Sequence, residues 1–219
     1  MQKSIVFLDF DGVLCDSVKE AYLLSRYSFF GISPFQEIEE QHYQEFRKFR
    51  PSITNSWQYY NFYSDKKEVY NNITQEFNEK FLSMRKELMA NHKEFWLALE
   101  SKTVFFDKIK PLIEKNPQNF RILSTKNREA ILEKFSSWGL DLPSEYIYDK
   151  KDLVNISKGM FIKELRIKNA ILIDDSEENI DSCKDVDNIT AILTSWGYAK
   201  SPQNGKNEDE VLKIIQEKL

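Results

Sequence analysis

Two pairs of aspartates stand at the ends of short apolar runs. Ile5-Val6-Phe7-Leu8 meets Asp9-Phe10-Asp11-Gly12, and Ala170-Ile171-Leu172-Ile173 meets Asp174-Asp175-Ser176. In an extended chain residues i and i+2 point the same way, so the Asp9 and Asp11 carboxylates face one site. Gly12 lets the backbone turn sharply behind them. Carboxylates grouped this closely repel one another, and a phosphate dianion would add to the repulsion. The pattern makes chemical sense around a hard divalent cation, because Mg²⁺ takes oxygen ligands and bridges a few carboxylates to a substrate phosphate. Solvated strand-end aspartates are a common alternative for one pair, but not for two pairs on two apolar runs.

The elements that must position these groups form an alternating pattern. Short apolar runs recur at Ser4 to Leu8, Phe120 to Leu123, Tyr146 to Tyr148, Ala170 to Ile173 and Thr190 to Leu193. Continuous apolar strands separated by helical stretches predict a parallel sheet covered on both faces, a Rossmann-like three-layer α/β fold. In such sheets ligands bind beyond the carboxyl ends of the strands, where the aspartates fall. Ser17 with Glu20 forms a capping-box pattern before a helix that Gly31 closes. Asn127 is placed to cap a helix stopped by Gly139, Phe105 to Lys115 reads as a helix, and Asn207 precedes a last one.

More than a hundred residues separate the first strand from Phe120, too many for one crossover helix. Within them Glu37 to Arg50 and Tyr70 to Leu99 read as helical, while Pro51 to Asp65 is aromatic and turn-prone. We therefore expect residues 17–101 to form an inserted helical cap and residues 1–16 and 102–219 to form the α/β core.

Four segments, taken in order, resemble the four motifs of the haloacid dehalogenase superfamily of phosphatases. They are Asp9-Phe10-Asp11-Gly12-Val13-Leu14, Ile122-Leu123-Ser124-Thr125-Lys126, Lys158, and Ile171-Leu172-Ile173-Asp174-Asp175-Ser176. The insertion after the first motif resembles the helical cap of the first type, as in phosphoglycolate phosphatases and β-phosphoglucomutases. The resemblance implies an Mg²⁺-dependent phosphoric monoester hydrolase. It implies Asp9 as nucleophile forming an aspartyl-phosphate, and Asp11 as general acid and then base. Ser124 would hydrogen-bond a phosphoryl oxygen, with Thr125 as the competing hydroxyl; Lys126, two residues on, favours Ser124. Lys158 would neutralise charge, chosen over Lys150 and Lys151 by its spacing to Asp175. The implied metal ligands are Asp9, Asp11 through its backbone carbonyl, Asp175, and Asp174 as ligand or outer partner. At Asn179 many relatives carry a further acid, so Glu178 or Asp181 would substitute in the outer shell. A phosphomutase would use the same aspartates but return phosphate to the sugar, and a catalytically silent binding module is the rival of a different class.

Composition narrows the rest. The chain has 219 residues, 41% hydrophobic and 30% charged, which suits a globular protein with one core and an insertion. A net charge of −4 gives no global attraction for nucleic acid, and the resemblance implies a small phosphorylated metabolite as substrate. No run approaches a membrane span, the first apolar run is too short for a signal peptide, and two cysteines make no disulfide framework. We therefore expect a cytoplasmic monomer or homodimer that binds no membrane. Arg47 and Arg50 are candidates for clamping a second anionic group. The aromatic run Trp57 to Tyr63 reads as the cap's own core in preference to a substrate wall. His42 and His92 have no metal-ligand spacing, and Cys15 has no matched base.

Overall fold

The computed structural model describes residues 4–64 and 67–219. Asp65, the last residue of the turn-prone stretch, lies outside the described residues. The chain divides into two compact units, residues 1–16 with 102–219, and residues 17–101.

The first unit is built on a five-stranded sheet. Its strands are β1 (Ile5–Leu8), β4 (Phe120–Leu123), β5 (Ile147–Tyr148), β6 (Ala170–Asp174) and β7 (Ile189–Leu193), in the spatial order β5-β4-β1-β6-β7. Two-residue strands β2 (Cys15–Asp16) and β3 (Ser101–Lys102) lie where the chain leaves and re-enters this unit. All pairings in the large sheet are parallel. Alternation along the strands divides the core into two layers. Val6, Leu8, Ile122, Ile171 and Ile173 face a cluster with residues of α6 (Val104–Lys115), α7 (Arg128–Ser137) and α10 (Glu208–Lys218). Phe7, Leu123, Ala170 and Leu172 face the opposite cluster, with Ile162 of α8 (Lys158–Glu164) and Cys183 after α9 (Glu177–Asp181). This is the three-layer α/β arrangement expected from the apolar runs, with helices on both faces of a parallel sheet.

The second unit is helical throughout its main elements: α1 (Val18–Phe30), α2 (Glu40–Phe49), α3 (Tyr60–Tyr63), α4 (Asn72–Asn91) and α5 (Lys93–Ala98). Its interior is aromatic. Phe46 packs against Tyr22, Tyr59 and Phe62, and Tyr59 stacks on Phe81. The stretch Tyr59 to Tyr63 therefore makes ring contacts inside its own unit. His42 belongs to the same packing, with Nδ1 3.0 Å from the Tyr22 hydroxyl.

Three local expectations change. Gly31 ends α1 in the left-handed region at φ 74°, as its position suggests, but Ser17 makes no side-chain cap. Glu20 instead turns inward to accept from Arg85 and Trp96. Asn127 makes no side-chain cap on α7 either, and the Arg128 amide donates to Asp149, 21 residues away. The Tyr70 to Leu99 stretch is two helices, broken at His92 (φ −137°, ψ 45°). Asn207 precedes α10 as expected, and with Glu210 it forms a reciprocal capping box.

Candidate active site

Strand register assembles the site. Leu8 of β1 pairs with Ile173 of β6, and the Asp9 amide donates to the Ile173 carbonyl at 3.0 Å. Asp9 is thereby set beside Asp174 and Asp175. The crossovers from β1 run outward through β4 and β5, whereas β6 and β7 lie on the other side of β1. The aspartates therefore sit at a topological switch point, where open α/β sheets bind ligands. Beyond Asp9 the chain turns tightly: Gly12 N donates to Cys15 O at 2.7 Å with φ 91° at Gly12. A Cβ at Gly12 would lie 1.9 Å from an Asp175 oxygen, so only glycine fits there. Phe10 points into the core, stacked on Trp138 with ring centroids 5.9 Å apart.

Asp9, Asp174 and Asp175 each offer an oxygen within 4.8 Å of the others, and all three are buried. Lys158, at the start of α8, donates to Asp9 Oδ1 at 2.8 Å and to Asp174 Oδ2 at 2.7 Å. Gly159 permits this approach. A Cβ there would lie 2.1 Å from the Ser182 carbonyl oxygen, and its amide donates to Ser182 Oγ at 3.0 Å. A proline after Lys158 could not make that bond. Burial pushes the Asp9 carboxyl up; Lys158 pulls it back, Asp174 and Asp11 push it further, and the result is about 6. Burial alone would lower the Lys158 ammonium, but the carboxylates of Asp174 and Asp9 outweigh that and raise it above its ordinary value.

Asp174 differs from its neighbours. Its Oδ1 accepts from the Ser176 amide (2.9 Å) and Asn179 Nδ2 (3.0 Å), and its Oδ2 from Lys158 and Asn179 Nδ2 (3.1 Å). Three donor groups make four contacts with this carboxylate, Asn179 Nδ2 being shared between its two oxygens. Asn179 is thus a hydrogen-bond partner of Asp174. Asp175 Oδ2 accepts from the Tyr198 amide at 2.5 Å.

The remaining candidates are dispersed. Asp11 pairs with Lys126, whose Nζ lies 3.1 Å from Oδ1 and is almost fully buried. Ser124 is buried just past β4, whereas Thr125 is exposed. Lys151 is an exposed residue 3.9 Å from Glu129. Arg47 and Arg50 lie in the helical unit, where Arg47 donates to the Tyr43 hydroxyl and Arg50 to the Ile53 carbonyl. Glu178 and Asp181 are on α9, and Asp181 pairs with Lys184 at 2.8 Å. The contacts of Asn179, Trp196 and Tyr198 are not expected from local sequence pattern.

The donor set suits a hard cation. All three clustered ligand candidates are carboxylates, and one ammonium cannot balance the charge of three of them.

Solved structures share this architecture. A haloacid dehalogenase-like family hydrolase from Streptococcus pneumoniae is 15% identical, with a TM-score of 0.61 over 98% of this chain and 99% of that one. The chain has the haloacid dehalogenase fold. A predicted phosphoglycolate phosphatase from Haemophilus somnus matches this fold over 99% of both chains, at 12% identity and a TM-score of 0.67. CbbY from Rhodobacter sphaeroides, solved in complex with xylulose-1,5-bisphosphate, matches 91% of this chain and 89% of its own at 12% identity and a TM-score of 0.56. No protein-family model and no curated protein sequence matches. Among the described residues no helix is long and apolar enough to cross a membrane.

Proposed function

We propose that this haloacid dehalogenase-fold protein is a phosphatase that hydrolyses a small phosphorylated metabolite through an aspartyl-phosphate on Asp9. The observation that carries the reading is the buried bridge from Lys158 to Asp9 and Asp174, with Asp175 in the same cluster. Asp9 Oδ1 is held at a strand end by an ammonium that fixes its direction. Its attack on phosphorus splits the hydrolysis into two easier displacements. Asp11, kept in place by Lys126, protonates the leaving oxygen and then deprotonates the water that cleaves the acyl phosphate. Lys158 and the Ser124 hydroxyl face charge on the transferring phosphoryl group, where preorganised donors contribute most.

Mg²⁺, held by Asp9, Asp175 and the Asp11 main-chain carbonyl, would offset the carboxylate charge and polarise the phosphoryl oxygens. Asp174, saturated by protein donors, serves Lys158. Residues 17–101 act as the cap that selects the leaving group, with Arg47 and Arg50 the cationic candidates for a second anionic group. The sugar bisphosphate bound by CbbY supports a phosphorylated carbohydrate or small acid as the substrate class.

The test is phosphate release from a panel of sugar phosphates, phosphorylated acids and nucleotides, with Mg²⁺ and with chelator. We expect Mg²⁺-dependent phosphate release from a subset of the panel. No release from any ester would sink the hydrolase reading, and an isomerised sugar phosphate without free phosphate would point to a mutase.

A further inference from the structure

The segment Thr194 to Tyr198, after β7, touches the site at three places. Thr194 is fully buried, and its Oγ1 donates to the Trp196 carbonyl at 2.9 Å, which folds the loop on itself. Trp196 rests its ring against Phe105, with centroids 4.8 Å apart, and its Nε1 donates to the Val13 carbonyl at 3.1 Å. Tyr198 donates its amide to Asp175 Oδ2 and its hydroxyl to Asp16 Oδ1, at 2.5 and 3.1 Å. Gly197 lies between, with φ 83°, and a Cβ there would stand 2.6 Å from both Asp175 Oδ2 and the Gly12 carbonyl oxygen.

One short loop therefore grips both halves of the cluster: the turn after Asp9, at Val13 and Asp16, and the carboxylate at the end of β6. We propose that Thr194 to Tyr198 is a strap that positions Asp175 against the Asp9 turn, with Gly197 and Tyr198 as positioning residues for the cation site. The inference rests on the reading of Asp175 as a ligand. A bond from an amide to an ionised oxygen is stronger than a neutral one and sets the carboxylate's orientation. Mg²⁺ demands near-ideal octahedral geometry, so a shift of a few tenths of an ångström in one ligand weakens binding. Loss of such an outer partner typically costs about 10–100-fold in metal affinity.

The experiment is calorimetric titration of Mg²⁺ alone into wild type, Gly197→Ala, Trp196→Phe and Gly139→Ala. Gly197→Ala forces Asp175 or the Gly12 carbonyl to move. We expect its Mg²⁺ affinity to fall about 10–100-fold, with the half-activating Mg²⁺ concentration rising in step and substrate KM at saturating Mg²⁺ unchanged. Trp196→Phe keeps a ring against Phe105 but loses the bond to Val13, and should weaken Mg²⁺ several-fold. It serves as the test if Gly197→Ala does not fold. Gly139 also has a positive φ (68°), and a Cβ there would meet only Lys110 Nζ, at 3.3 Å. Gly139→Ala should therefore lose stability while keeping wild-type Mg²⁺ affinity. Wild-type affinity in the two loop variants, or an equal loss in Gly139→Ala, would overturn the strap. A wild-type protein that binds no Mg²⁺ would instead remove the metal reading, and the strap with it.

Discussion

Glu20 in the helical unit and Asp9 in the sheet unit are both buried carboxylates, but their surroundings differ in charge. Glu20 is fully buried and accepts from Arg85 Nε (2.9 Å), Arg85 Nη2 (2.6 Å) and Trp96 Nε1 (2.8 Å). One guanidinium answers one carboxylate, in the bidentate geometry that suits the pair. Around Asp9 three carboxylates cluster, Lys158 pairs with two of them, Asp9 and Asp174, and burial pushes the Asp9 carboxyl up to about 6. A balanced buried pair ties helices α1, α4 and α5 to one another. On the proposed reading, the unbalanced cluster leaves negative charge for a cation to engage, and gives up stability to do so.

The largest test of that contrast is Asp9→Asn, which keeps shape and the acceptor facing Lys158. Turnover should fall by about 10³-fold or more if Asp9 is the nucleophile proposed above. Stability should move the other way. The folded Asp9 pKa lies above its unfolded value, so the native state binds the extra proton and the Asp9 contribution is fully present below about pH 4. It is lost as pH rises towards about 6. In chelator-treated protein Asp9→Asn should melt above wild type at pH 7, and the gap should shrink towards pH 4. A gap that does not vary with pH would remove the idea that Asp9 is held at a cost. Next in size is Glu20→Ala, which strands Arg85 and the Trp96 N–H. Breaking such a buried pair costs about 3–5 kcal/mol, read in denaturant titrations, while turnover per folded molecule should persist.

Much of this contrast was legible in the residues, and the illegible part has a physical cause. Strands buried on both faces read as unbroken apolar runs, so the sheet and its aspartate ends could be placed, and Gly31 and Asn207 mark helix ends through contacts within a few residues of themselves. Glu20 was misread because its i,i+3 spacing from Ser17 fits a cap as well as an inward acid. The partners that decide the matter are 65 and 76 residues away. The same holds for Asp149, which takes over the role expected of Asn127, and for Trp196, whose partner Val13 is 183 residues distant. Such contacts follow from strand order, which local pattern does not encode.

The smallest effect concerns Asp174, which by its contacts resembles Glu20 more than Asp9: buried, with both oxygens accepting from protein donors. On the proposed reading it anchors Lys158, and the cation falls to Asp9 and Asp175. Asn179→Ala removes the two bonds at 3.0 and 3.1 Å and leaves Lys158 and the Ser176 amide to hold the carboxylate. Hydrogen bonds to a charged group contribute about 1.5–3 kcal/mol, but the freed oxygens can rotate or take up water. We therefore expect about a 10-fold loss of kcat from a misdirected Lys158, with Mg²⁺ affinity unchanged. If kcat holds and Mg²⁺ affinity falls instead, Asp174 belongs among the ligands, and the division between satisfied and unsatisfied carboxylates must be redrawn inside the site itself.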